Sequence, residues 1–237
     1  NYAIKHGFDG VDVDWEFNKR TGSHQKCELL VQFLQEIRQI AINIGRSKFL
    51  ITVVLGMQSI AGVDHYVKKI SHLVDWFHVI GYDLHGSWDK YTDANAPLYQ
   101  DNSNYESVYC IDYLIKKYLK LGVSPKKLVL GMPAYGRSYG NVNLSRFFKN
   151  VRNSSKGPGR VGMFTKQPGI LAYYEILELL KNQQYHQAWD KVTSTPYLYN
   201  FNTKEWISYD NPKSIGLKMD YIKKMGLGGA MLWALPL

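Results

Sequence analysis

The chain has 237 residues, with 29 Lys+Arg against 20 Asp+Glu and a formal net charge of +9. At 45% hydrophobic and 14% aromatic, with 18 Tyr and 6 Trp, it can bury a core and is not a disordered chain. No apolar run reaches transmembrane length. Two cysteines make neither a disulfide framework nor a zinc spacing, and the scattered basic residues do not form a nucleic-acid stripe.

The opening stretch NYAIKHG, which has no initiator Met, reads as the tail of a helix, and we expect the natural N-terminus to lie upstream. Residues 8–17, FDGVDVDWEF, place Asp9, Asp12, Asp14 and Glu16 in what otherwise reads as a buried strand. Alternation puts Gly10, Asp12, Asp14 and Glu16 on one face and Val11, Val13, Trp15 and Phe17 on the other. Three readings compete. An edge strand could turn its acids to water. A calcium loop fails, because its sixth position should be Gly and its twelfth Glu, where this chain has Phe17 and Ser23. A catalytic ladder fits best, with carboxylates stepped by roughly 6–7 Å. Like charges that close in a partly buried site push at least one pKa up, which prepares a general acid. Asp9 faces away from the ladder and reads as structural.

Residues 26–45 carry Leu30, Phe33, Leu34, Ile37, Ile40, Ala41 and Ile44 at helical spacing, closed by Gly45. FLITVVLG (49–56) is a continuous β-branched run and predicts a buried parallel strand. A short helix from about Asp64 to Ser71 leads to a strand in WFHVIGYDLHG (76–86) with polar residues at its end. Val108, Ile111, Leu114, Ile115 and Tyr118 predict a helix that stops before Gly122. Cys27 and Cys110 fall in helical patterns and read as buried free thiols. KLVLGMPAYGRSY (127–139) is a strand running into a Gly-rich turn, 213–225 is helical, and GGAMLWAL (228–235) is the last strand. Residues 138–210 break the alternation and predict an inserted small α+β subdomain, with a hairpin around Asn202-Thr203. The insertion holds two glycosylation triplets, Asn143-Leu-Ser and Asn153-Ser-Ser, which fit a secreted protein.

Strands alternating with helices predict an α/β fold with a parallel sheet. Asp14, Glu16, Tyr82, Asp83, Tyr135, Arg137 and Trp233 fall at strand C-terminal ends, which is where a (β/α)8 TIM barrel builds its active site.

At this point the sequence resembles the chitinases of glycoside hydrolase family 18. Residues 9–16, DGVDVDWE, match the family's strand-four signature D-G-x-D-x-D-x-E in full. GYDLHGSWD (81–89) resembles its strand six, LVLGMPAYGRSY (128–139) its strand seven, and GLGGAMLWAL (226–235) its strand eight. FTKQPGILAYYEI (164–176) and WISYDN (206–211) resemble its insertion domain. The resemblance therefore implies barrel portions at 1–137 and 211–237, with the insertion at 138–210. It also implies that the first three barrel strands are missing from this chain, so we expect it to be poorly soluble or inactive alone.

The resemblance makes Glu16 the general acid, with the substrate's own N-acetyl oxygen as nucleophile, an exception to the two-carboxylate scheme. It assigns Asp14 to orient the acetamido group, Asp12 to share a proton with Asp14, and Tyr82 to hold the acetamido carbonyl. Asp83, Tyr135, Arg137 and Trp88 become substrate-binding residues, and Trp233 the floor under the reacting sugar. Two departures stand out: Ile80 replaces a frequent Met, and Pro236 replaces a usual Asp. The implied activity is endo-hydrolysis of β-1,4 links in chitin or N-acetylglucosamine oligomers by a secreted protein. That protein would be monomeric at full length, without metal, cofactor, nucleic-acid partner or membrane. The alternative is a chitinase-like lectin that binds the same oligomers without cutting them.

Overall fold

The computed structural model describes residues 2–15, 24–56, 63–100, 109–145 and 152–237. They fall into two units. One comprises Asn1–Ile80, Leu114–Leu130 and Lys224–Gly229, and the other Gly81–Tyr113, Gly131–Lys223 and Ala230–Leu237.

The first unit opens with a short helix, α1 (Tyr2–Lys5), and is built on parallel strands β1 (Gly10–Val13), β2 (Leu50–Leu55) and β3 (Trp76–Ile80). Register runs from Gly10 opposite Leu50 to Val13 opposite Val53, then from Thr52 opposite Trp76 to Leu55 opposite Val79. Gly10 permits this approach, since a Cβ there would stand 2.3 Å from the Leu50 carbonyl oxygen. The apolar run at 49–56 becomes β2 as expected, and Ile51, Val53 and Leu55 are buried.

Helices α2 (His24–Asn43) and α3 (Val63–Ile70) connect these strands. The C-terminus of α2 closes as its glycine predicts. Gly45 has φ +75°, its N–H donates to the Ile42 carbonyl, and the Arg46 N–H donates to the Ala41 carbonyl, the pattern of a Schellman cap. Its buried stripe is narrower than the apolar spacing implies. Cys27, Leu30, Val31, Leu34 and Ala41 are buried, while Phe33, Ile40 and Ile44 are exposed. Arg38 takes the stripe position between Leu34 and Ala41. It reaches the Phe49 and Leu73 carbonyls and the Asp75 carboxylate at 2.7–3.2 Å.

Over 127–139, where the sequence predicts a strand running into a Gly-rich turn, the first strand forms and the segment read as a turn is a second strand. β4 (Leu128–Pro133) ends before Ala134, and β5 (Tyr135–Tyr139) joins a different sheet. Ala134 bonds both ways, its N–H to the Trp233 carbonyl and its carbonyl to the Tyr173 N–H, at 2.8 and 3.0 Å. The sheet of the second unit is antiparallel. It is formed by β5, β6 (Ile170–Ala172), β7 (His186–Asp190), β8 (Thr195–Asn200) and β9 (Glu205–Ser208), in the order β6-β5-β9-β8-β7. The β8–β9 hairpin encloses Asn202-Thr203, where turn chemistry predicts it. One core gathers Leu171, Ile176, Tyr185, Leu198, Ile207 and Tyr209; the other holds Tyr139, Val142, Tyr197 and Trp206.

The remaining helices are α4 (Ile111–Lys120), α5 (Tyr173–Leu180) and α6 (Pro212–Met225), and the last strand is β10 (Gly229–Trp233). Cys27 and Cys110 are buried and not joined in a disulfide. Among the described residues no helix is long and apolar enough to cross a membrane.

Candidate functional site

The acidic strand is shorter than its sequence pattern, because β1 ends at Val13. Asp12 is its last acidic residue, and register sets it beside Thr52 on β2. The Thr52 hydroxyl donates to Asp12 Oδ1 at 2.5 Å, and His78 Nδ1 on β3 lies 3.1 Å from the same oxygen. These partners set the direction of the pKa shift at Asp12. The hydrogen bond from His78 holds the Asp12 carboxyl below the usual carboxylate range; partial burial pushes it up, but Thr52 and the charge of His78 add to the lowering. Asp14 and Trp15 follow the strand and are exposed. Glu16 lies outside the described residues.

The second cluster is built around Asp83 in the other unit. β3 stops at Ile80, so Tyr82 and Asp83 belong to the segment after it. Asp83 adopts φ 54°, a left-handed conformation that Asp tolerates better than most residues. Its N–H donates to Asn95 Oδ1 at 2.9 Å, and the Asn95 N–H donates to Ser208 Oγ at 2.8 Å. Tyr135 and Arg137, two apart on β5, project to one face and both reach Asp83. The Tyr135 hydroxyl donates to Oδ1 at 2.6 Å, and Arg137 grips both carboxylate oxygens through Nε and Nη2 at 2.8 and 2.6 Å. This is the two-pronged pairing that guanidinium geometry favours.

Aromatic rings surround the pair. The guanidinium carbon lies 5.0 Å from the Trp88 ring centroid and 5.5 Å from that of Tyr135, within cation–π range. Buried Tyr82 meets Tyr135 edge-on at 6.0 Å. Trp88 keeps 57% of its surface open, and Gly86 makes room for it, since a Cβ there would stand 2.4 Å from its ring. Burial, joined by the negative charge of Asp83, pushes the Tyr135 phenol well up, so it remains a neutral donor. Burial draws the Arg137 guanidinium down, but Asp83 more than offsets this and leaves it above its ordinary value. An open indole beside a fixed guanidinium, carboxylate and phenol suits a sugar ring, with an apolar face to stack and hydroxyls to hydrogen-bond.

Trp233 lies on β10 and is half exposed. Thr52 and His78, which carry no role in the sequence analysis, are each a lone polar residue inside an apolar strand, a detectable signal. His85 carries no role there either; its Nδ1 lies 3.0 Å from Asp89 Oδ2, an oxygen that also accepts from the Gly86 N–H. That contact shapes the turn carrying Trp88.

The family model for Glycosyl hydrolases family 18 matches residues 1–237. Mouse Chitotriosidase-1 is 34% identical over 239 residues, covering 98% of this chain and 50% of that protein. The Bos taurus Oviduct-specific glycoprotein is also 34% identical, over 98% of this chain and 43% of that protein. The crystal structure of Ostrinia furnacalis Group IV chitinase in complex with allosamidin superposes with a TM-score of 0.86 at 31% identity, covering 99% of this chain and 63% of that one. The chain thus spans half or less of these two curated relatives.

Proposed function

The chain belongs to glycosyl hydrolase family 18, and from that premise we propose that its full-length protein is a secreted chitinase. It hydrolyses β-1,4 links between N-acetylglucosamine units with retention of configuration. The observation that carries the proposal is the complete DGVDVDWE motif inside a whole-chain family match.

In this mechanism Glu16 protonates the glycosidic oxygen, and the acetamido carbonyl oxygen of the substrate attacks the anomeric carbon. Asp14 orients the acetamido group and stabilises the positive cyclic intermediate, while Asp12 shares a proton with Asp14. Tyr82 holds the acetamido carbonyl in line. Trp233 forms a floor, and Asp83, Tyr135, Arg137 and Trp88 hold the oligomer. The parallel strands belong to a TIM barrel, and residues 138–210 are its insertion subdomain.

The test uses the full-length protein on a fluorogenic chitotrioside. General acid catalysis contributes roughly 10²–10⁴-fold, so Glu16→Gln lowers turnover at least that far while oligomer binding survives. A variant keeping more than about a tenth of the rate overturns the assignment.

A lectin that binds without cutting is the second reading, because an oviduct-specific glycoprotein matches this chain as closely as a chitotriosidase does. Tight oligomer binding with no turnover by the wild type would establish it.

A further inference from the structure

The two Asn-x-Ser triplets, Asn143-Leu144-Ser145 and Asn153-Ser154-Ser155, are neighbours in space, yet the fold treats them oppositely. Asn153 is 4% exposed. Its backbone is clasped by Thr92: the Thr92 N–H donates to the Asn153 carbonyl at 2.8 Å, and the Asn153 N–H donates to Thr92 Oγ1 at 2.9 Å. Ser154 bridges Tyr91, and the Ser155 N–H donates to the Lys90 carbonyl at 3.0 Å. A branched oligosaccharide on the Asn153 amide has no way out without undoing these bonds.

Asn143 is exposed. Its backbone is anchored by an N–H bond to the Ser154 carbonyl at 2.9 Å. Its Oδ1 accepts from the Ser145 N–H at 3.2 Å and from Ser145 Oγ at 2.7 Å. The hydroxyl required by the triplet therefore already meets the amide it serves, and both contacts use the oxygen rather than Nδ2. Asn143 also lines an open cavity of about 830 Å³, together with Leu144, Phe201 and Lys204. There the half-exposed Phe201 ring offers an apolar face to a first sugar.

We propose that Asn143 is an N-glycosylation site and that Asn153 is not. In the transfer, Asn143 Nδ2 bonds to the anomeric carbon of an oligosaccharide carried on a lipid diphosphate. The carbon–oxygen bond to the diphosphate breaks, the lipid diphosphate leaves with the electron pair, and Nδ2 gives up one proton. Nothing is oxidised or reduced. The modification depends on passage through a eukaryotic secretory pathway, not on catalysis, so it can fail while the chitinase reading stands.

The test is to secrete the full chain from insect cells behind a cleavable leader. The secreted protein, and the microsomal fraction where little is secreted, are mapped by mass spectrometry after peptide N-glycosidase treatment. We expect the Asn→Asp mass mark at position 143 in both fractions and none at position 153 in the secreted protein. Asn143→Gln and Ser145→Ala, both at exposed positions, abolish the mark at 143. An unmodified Asn143, a secreted chain carrying glycan at Asn153, or a Ser145→Ala chain still modified at Asn143 each overturns the proposal.

Discussion

Replacing Asp83 with asparagine tests whether the pair with Arg137 holds the second cluster together. The carboxylate accepts three hydrogen bonds, two of them from Arg137. Asparagine keeps one carbonyl oxygen, so an amide N–H must face the Arg137 Nη2 donor and that bond is lost. A hydrogen bond to a charged group contributes about 1.5–3 kcal/mol. The Asp83 side chain is 39% exposed and that of Arg137 15%, so water screens part of the loss. We therefore expect the lower half of the range, about 1.5–2 kcal/mol. For a chain of this length that is a fall in the unfolding midpoint of roughly 3–8 °C. Asp83→Asn, Arg137→Met and the double variant are melted side by side and followed by circular dichroism. The double variant should be less destabilised than the sum of the singles by about 1 kcal/mol, because each single strands its partner. Additive losses, or an Asp83→Asn midpoint within about 1 °C of wild type, would refute the reasoning.

A thiazoline mimic of the cyclised intermediate should inhibit the full-length enzyme competitively, since it resembles a state the site stabilises. Asp14→Asn should weaken that inhibitor far more than it weakens plain oligomer binding; equal losses would argue against substrate assistance. His78→Gln removes the main cause of the lowered Asp12 pKa, so the carboxyl carbon titration of Asp12 should move up. The sign of the stability effect follows from linkage. A depressed folded pKa adds stability that is complete above the ordinary value of 3.8 and is lost as pH falls through the folded value. The variant should therefore show a flatter dependence of stability on pH below about 4. An unmoved Asp12 titration would count against His78 as its partner.

The sequence by itself determined whatever depends on local period and turn chemistry. The β-branched run of β2, the glycine cap after α2, the hairpin at Asn202-Thr203 and the DGVDVDWE motif could all be read there, because each is specified within a few residues. Only the tertiary structure decided the partners. Tyr135 and Arg137 reach Asp83 across 52 and 54 residues of chain, and Asp12 meets Thr52 across 40. The same holds for the step from β4 to β5 at Ala134, which is bonded by two distant segments, and for the opposite exposure of Asn143 and Asn153. Strand order and register set which side chains face one another. Both come from packing between segments far apart in sequence, so no window of the chain contains the information that pairs a carboxylate on β1 with a histidine on β3.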